Sequence, residues 1–201
     1  HTMPAPLPKH PVGFSAGAPG APTKIDAFLD PQCPYSRESY IVLRKLMDGP
    51  DSADLRLRVL LFSLTGHRQS WDMTKAVFAL TQMLDVTGPF TALDALYGQQ
   101  ERFMNAAHYR RSKKQLDDDL ADVAVELGAE RSRFLEALGS DQAHNLAKPT
   151  TWLAIERSVW SAPTFFINDF QAPLSSSSTE AEWLEVVRAT HEHAVTNPSH
   201  G

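Results

Sequence analysis

A chain of 201 residues with 42% hydrophobic content can bury a sizeable core, as one domain or one domain carrying a large insertion. Its formal net charge of -5 gives no electrostatic footprint for nucleic acid or an anionic membrane surface, so both partners are disfavoured. A single cysteine forbids an internal disulfide, and an apolar run such as Val59 to Phe62, with Leu64 beyond Ser63, is far too short to span a bilayer.

Residues 1–23 carry Pro4, Pro6, Pro8, Pro11, Pro19 and Pro22 among Gly and Ala, and read as an extended or mobile segment with little to bury. His1 and Thr2 precede Met3, and the run that follows lacks the apolar core of a secretory signal. A cytoplasmic protein is the expectation, with a secreted mature form as the alternative. The folded part is expected from Lys24, where "KIDAFLD" is a short apolar segment ending in Asp30-Pro31, and the residue before a proline is pushed toward extended geometry. From Pro34 to Met47, Tyr40, Leu43 and Met47 fall at helical spacing, and "DGP" at 48–50 supplies a stop. "LRLRVLLF" at 55–62 alternates and then becomes wholly apolar, as suits a strand entering a sheet covered on both faces. A β-α-β unit with a parallel strand pair follows.

The next ninety or so residues carry no convincing strand and read as a helical insertion over 67–148. Ser70 is a candidate cap for a helix through Leu84, "TGP" at 87–89 breaks it, and Phe90 to Met104 forms another with Gly98 as its weak point. Ser112 and Gln115 make a capping box ahead of Leu116, Leu120, Val123 and Leu127, with Gly128 as the stop, and Arg131 to Leu138 is a shorter helix ended by Gly139. After a helical stretch with Trp152 and Ile155, "PTFFIND" returns to strand composition, and its "ND" turns the chain into "FQAPL". Thr179 and Glu182 frame a final helix with Trp183, Val186, Val187 and Thr190 on one side. The core is therefore expected to comprise 24–66 and 149–196.

Cys33, in "FLDPQCPYS" at 28–36, sits where the first strand gives way to the first helix. Unpaired backbone N–H groups and the positive end of the helix dipole favour a thiolate there. Pro34 suits the first helical position, and Ser36, one turn on, could donate its hydroxyl to the sulfur. A lone cysteine is more often a small buried apolar residue, and only the surrounding motif favours the reactive reading.

"FLDPQCPYS" resembles the active-site segment of the thioredoxin superfamily, in particular its DsbA-like branch, and "SAPTFFIND" resembles that family's loop with a cis proline. The helical insertion between them matches the same branch. The resemblance implies an α/β thioredoxin-like fold with a mostly helical insertion, Cys33 as the attacking thiol and Pro163 as the cis proline facing it. It also implies that the backbone of Ala162 pairs with an extended peptide or with glutathione, in a groove shared with Pro34, Tyr35 and Trp160. Dithiol members carry a second cysteine where this chain has Ser36, so the expected activity is monothiol thiol-disulfide exchange, with glutathione as a co-substrate to release the product and no permanently bound cofactor.

"CPYS" also resembles the "SPYS" of kappa-class glutathione transferases and chromene-carboxylate isomerases, which leaves glutathione activation as an alternative. A third is a non-catalytic peptide-binding module using the groove beside Pro163. A one-cysteine peroxidase fits less well, because "LDPQC" offers only the proline of that class's motif.

Auxiliary candidates are His67 as a partner of the thiolate, Arg37 as an aid to the thiolate or to a glutathione carboxylate, and Asp30 as a buried proton acceptor. For each the blander reading is a solvated loop, surface or turn residue. His191 and His193 fall on different sides of a helix, so no metal site is assigned. Exposed aromatics on the insertion could support a homodimer. The expected partner is a thiol- or disulfide-bearing protein, or glutathione.

Overall fold

The computed structural model describes Pro8, residues 10–84 and residues 88–196. Two apolar segments, β2 (Thr23–Leu29) and β3 (Leu55–Leu61), pair in parallel from Thr23↔Leu55 to Leu29↔Leu61. They form the middle of a five-stranded sheet with β1 (Phe14–Gly17), β4 (Thr164–Ile167) and β5 (Phe170–Gln171), in the order β1-β3-β2-β4-β5. The connection between the parallel pair is α1 (Pro34–Asp48), which buries Tyr40, Leu43 and Leu46. Because parallel strands need such a crossover, the end of β2 and the start of α1 are forced to meet at one sheet edge.

β1 corrects the expectation of an extended or mobile segment through residue 23. Phe14 to Gly17 pair antiparallel with Val59 to Arg56 of β3, and the ring of Phe14 stands edge-on to Phe90 at 4.9 Å. Proline content obscured this strand, but the prolines lie on either side of it. Gly13 and Gly17 bracket it at φ +76° and +87°, and a Cβ on Gly17 would sit 2.1 Å from the Leu55 carbonyl oxygen, so only glycine permits this approach. Of the same segment, residues 1–7 and Lys9 lie outside the described residues.

Between β3 and β4 the described residues form α2 (Ser70–Leu80), α3 (Gly88–Gly98), α4 (Lys113–Glu126), α5 (Arg131–Leu138) and α6 (Asp141–Glu156). α2 stops four residues short of the expected Leu84, and Thr81 to Leu84 form turns. Its N-cap is Gln69 rather than Ser70, whose buried hydroxyl opens the helix. α3 begins at Gly88 with Pro89 in its first turn, so these residues start a helix rather than only breaking one. It ends at Gly98, and a short 3-10 turn, Gln100–Phe103, carries the chain on. The capping box of Ser112 and Gln115 is in place at the head of α4.

The expected boundary between insertion and core at 148/149 falls inside α6, which continues through Pro149. Proline removes a helical donor. Beside it, the Thr150 hydroxyl lies 2.7 Å from the Ala147 carbonyl and 2.6 Å from that of Leu61 at the end of β3, so this helix is tied to the sheet where the sequence suggested a border. After β4, Asn168 and Asp169 adopt left-handed φ of 47° and 71°, the two-residue turn that suits a tight hairpin into β5. α7 (Glu180–Thr196) packs Trp183 edge-on against Phe165 of β4, with ring centroids 4.8 Å apart. Among the described residues no helix is long and apolar enough to cross a membrane.

Candidate active site

Cys33 is the N-cap of α1, with extended backbone at φ -79° and ψ 120°, and Pro34 occupies the first helical position. The cysteine side chain makes no capping bond, so its sulfur faces elsewhere. It donates to the carbonyl of Ala162 at 3.4 Å, across 129 residues of sequence. The Ala162–Pro163 peptide bond is cis. The two segments singled out in the sequence therefore meet at the sulfur, which is the sense in which the fold makes a site. Cys33 is 2% exposed, whereas Tyr35 beside it is 60% exposed.

Asp30, fully buried at the end of β2, organises the turn that carries the thiol. One carboxylate oxygen accepts the N–H of Gln32 at 2.8 Å, and the other accepts that of Leu64 at 2.7 Å and lies 2.9 Å from His67 Nδ1. Its main-chain carbonyl accepts the N–H of Cys33 at 3.0 Å and the hydroxyl of Tyr97 at 3.2 Å. A buried charge is tolerated only when so many donors surround it. Asp30 and His67 are thus brought together, but His67 is turned toward the carboxylate, and the one hydrogen bond of the sulfur among the described residues is to Ala162.

Ser36 departs from its expected role. Its hydroxyl, fully buried, accepts the N–H of Asp30 at 3.1 Å, and it makes no hydrogen bond to the Cys33 sulfur. The reason is local: the turn at 30–33 presents a backbone N–H within reach of the serine, and an unsatisfied buried donor is costly. Arg37 points along α1 toward Glu101, at 3.9 Å, and has no bond to the sulfur. Trp160 is 85% exposed and stands at the rim of a cavity of about 380 Å³ walled by Phe62, Leu64, Ile155 and Val159.

Sequence reasoning missed a second layer, contributed by the insertion. Gln32 donates to Gln69 Oε1 at 2.8 Å and to Asn105 Oδ1 at 2.9 Å, and its own Oε1 accepts the Gln69 N–H at 2.9 Å. Gln100 donates to the Pro31 carbonyl at 2.9 Å. The Tyr97 ring lies 5.1 Å from that of Tyr40, tilted by 45°, and the Tyr40 hydroxyl donates to Asp94 at 2.7 Å. Burial, and then the nearby Asp30 charge, push the Tyr97 phenol well above its ordinary range, so it stays protonated. Nothing in the spacing of these residues marks them, because their partners are the Gln32 side chain and main-chain carbonyls of a turn that only the fold brings near.

A thiol at the N-cap of a helix, beside the backbone carbonyl that precedes a cis proline, has the chemistry to attack a sulfur. Among the described residues no cluster of three or more His, Cys, Asp or Glu is placed to hold a metal.

Residues 9–189 match the thioredoxin family. No curated protein matches the sequence. Among solved structures, the chain is similar to a candidate protein-disulfide isomerase from Pseudomonas syringae, with a TM-score of 0.75 and 20% identity over 87% of this chain and 97% of that one. It is also similar to α-DsbA1 from Wolbachia pipientis, with a TM-score of 0.76 and 15% identity over 96% of each chain. BdbD from Bacillus subtilis gives a TM-score of 0.69 and 17% identity over 90% of this chain and 93% of that one. At such identities the likeness shows the fold, a thioredoxin-like core with a helical insertion of the DsbA-like kind.

Proposed function

The chain belongs to the thioredoxin family, and on that premise we propose that it is a monothiol thiol-disulfide exchange enzyme acting through Cys33. The observation that carries the reading is the meeting of the sulfur of the N-cap residue Cys33 with the carbonyl of Ala162, at the cis bond to Pro163. An extended peptide that pairs with the backbone of Ala162 brings its own disulfide to that sulfur.

The Cys33 thiolate attacks one sulfur of the substrate disulfide, forms a mixed disulfide and expels the other sulfur as a thiolate. Ser36 cannot resolve this intermediate. An outside thiol, glutathione being the proposed co-substrate, attacks the Cys33 sulfur of the mixed disulfide and expels the substrate's second thiolate, leaving Cys33 glutathionylated; a second glutathione attacks the glutathionyl sulfur, forms oxidised glutathione and releases Cys33 as a thiolate, so two glutathiones are oxidised for each disulfide reduced. Such a cycle suits a compartment rich in reduced thiols, such as the cytoplasm. Tyr35 and Trp160, both exposed, flank the groove and supply apolar contact for the substrate chain.

The test is turnover of a glutathionylated protein with and without added glutathione. Activity that requires glutathione and is lost in Cys33→Ala supports the reading, and activity unaffected by Cys33→Ala overturns it. One observation favours a second reading: with Cys33 2% exposed and its sulfur bonded to a carbonyl, the groove could serve as a peptide-binding module. Peptide binding that survives Cys33→Ala, together with an inert thiol, would select that reading.

A further inference from the structure

One face of the sheet changes character along its length. At the end of β2 and β3 near Cys33, Phe28, Leu60 and Phe166 pack with Ala154 of α6 and with Val159. At the other end the same face carries Lys24, Asp26, Arg56 and Arg58, which with Asp169 line a cavity of about 310 Å³ also walled by Pro11, Val12 and Pro19 of the N-terminal segment. The strand register sets these side chains beside one another: Asp26 is level with Arg58, and Lys24 with Arg56. We propose that this cavity binds a small phosphate monoester, its phosphate held by Lys24, Arg56 and Arg58 and its organic part set against Pro11, Val12 and Pro19.

The charge balance calls for a dianion. Asp26 is already matched: it accepts from Arg58 Nε at 2.7 Å, from Arg58 Nη2, and from Arg157 Nη1 at 2.8 Å. Asp169 accepts from Arg157 Nη2 at 2.8 Å. Among the described residues, neither the Lys24 ammonium nor the half-buried Arg56 guanidinium has an acidic partner, in a chain whose formal net charge is -5. Like charges level with each other on paired strands repel, so this pair costs stability until an anion sits between them. Two unmatched cations are balanced by a phosphate monoester, which carries about -1.5 to -2 at neutral pH, and the guanidinium fork and the ammonium both suit its oxygens. The cavity has the volume of roughly ten waters at about 30 Å³ each, more than a phosphate group fills, and the surplus borders on proline and valine. That is the reason for an ester with an apolar part rather than the bare ion.

The site lies at the opposite end of β2 from Cys33, so it stands or falls independently of disulfide exchange. The intact protein, in phosphate-free buffer at pH 7.5 and fixed ionic strength, is titrated in a calorimeter with phenyl phosphate and with inorganic phosphate, as the native chain, Arg56→Gln and Lys24→Gln. The native chain is expected to bind one phenyl phosphate, about tenfold or more tightly than either variant, since each substitution removes a charge-assisted hydrogen bond. Inorganic phosphate is expected to bind the native chain about threefold or more weakly, because it leaves the apolar wall unfilled. Thermal melts without ligand separate binding from a structural role: Arg56→Gln relieves the repulsion with Lys24 and is expected to melt no lower than the native chain, while losing the rise in melting temperature that phenyl phosphate gives.

A native chain that takes up neither probe, or an affinity unchanged in both variants, overturns the proposal. Equal affinity for the two probes overturns the ester and assigns the cavity to free phosphate. If Arg56→Gln melts below the native chain or fails to fold, the guanidinium serves the sheet, and Lys24→Gln, at an exposed position, decides: undiminished binding there overturns the proposal, and a loss of about tenfold upholds it.

Discussion

Replacing Asp30 with asparagine changes one oxygen for an amide nitrogen at a fully buried position. The carboxylate now accepts from the N–H groups of Gln32 and Leu64 and pairs with His67. Asparagine keeps one acceptor. The oxygen that serves both Leu64 and His67 would be replaced by a donor, and if the amide flips, the Gln32 N–H is stranded instead. A hydrogen bond to a charged group contributes about 1.5–3 kcal/mol, and a stranded buried donor costs about 1–3 kcal/mol. The full loss comes to about 3 kcal/mol, since the His67 side chain, 25% exposed, can turn to water. For a domain of this size each kcal/mol moves the melting temperature by about 2–4 °C, so Asp30→Asn should melt about 6–12 °C lower. Urea unfolding followed by circular dichroism at pH 7, with thermal melts on the same samples, measures this directly. A loss below about 1 kcal/mol would refute the view that the buried carboxylate anchors the turn.

Other perturbations probe other parts of the fold. Gly17→Ala places a methyl group 2.1 Å from the Leu55 carbonyl at a left-handed φ, and should cost more than about 2 kcal/mol in urea unfolding while raising proteolysis of the N-terminal segment. His108 is buried against the Phe103 ring, and burial lowers its proton affinity despite the Asp119 carboxylate at 3.3 Å. Its folded state therefore binds a proton less readily than the unfolded chain, so its contribution is full above about pH 6.5 and is lost as pH falls below that value. The drop in urea stability between pH 7.5 and 5 should be smaller in His108→Gln than in the native chain.

Much of this fold was readable from residue pattern. β2 and β3 announced themselves as short apolar runs, α1 by Tyr40, Leu43 and its "DGP" stop, and the capping box of Ser112 and Gln115 by spacing alone. β1 was hidden because six prolines dominate the composition of a segment in which only four residues pair. The 148/149 boundary falls within a helix for a related reason: Pro149 reads as a break, yet α6 passes through it with Thr150 beside the neighbouring carbonyls.

At the site, Cys33, Ala162 and Pro163 were legible as motifs, and the fold brings them together. Ser36 was assigned to the sulfur on helical spacing, which is blind to a main-chain N–H in the adjoining turn. Tyr97, Gln69, Gln100 and Asn105 carried no signal at all, since their partners lie at least 35 residues away in a turn whose surroundings depend on how the insertion packs.

The central claim is that Cys33 exchanges disulfides, and the most direct measurement is intact-protein mass spectrometry of the native chain after incubation with oxidised glutathione over a pH series. A single glutathionyl adduct mapped to Cys33, forming faster as pH rises and cleared by reduced glutathione, is the expected result. A native chain that stays unmodified while the urea-unfolded chain takes up the adduct would contradict the claim and identify Cys33 as a closed, structural thiol.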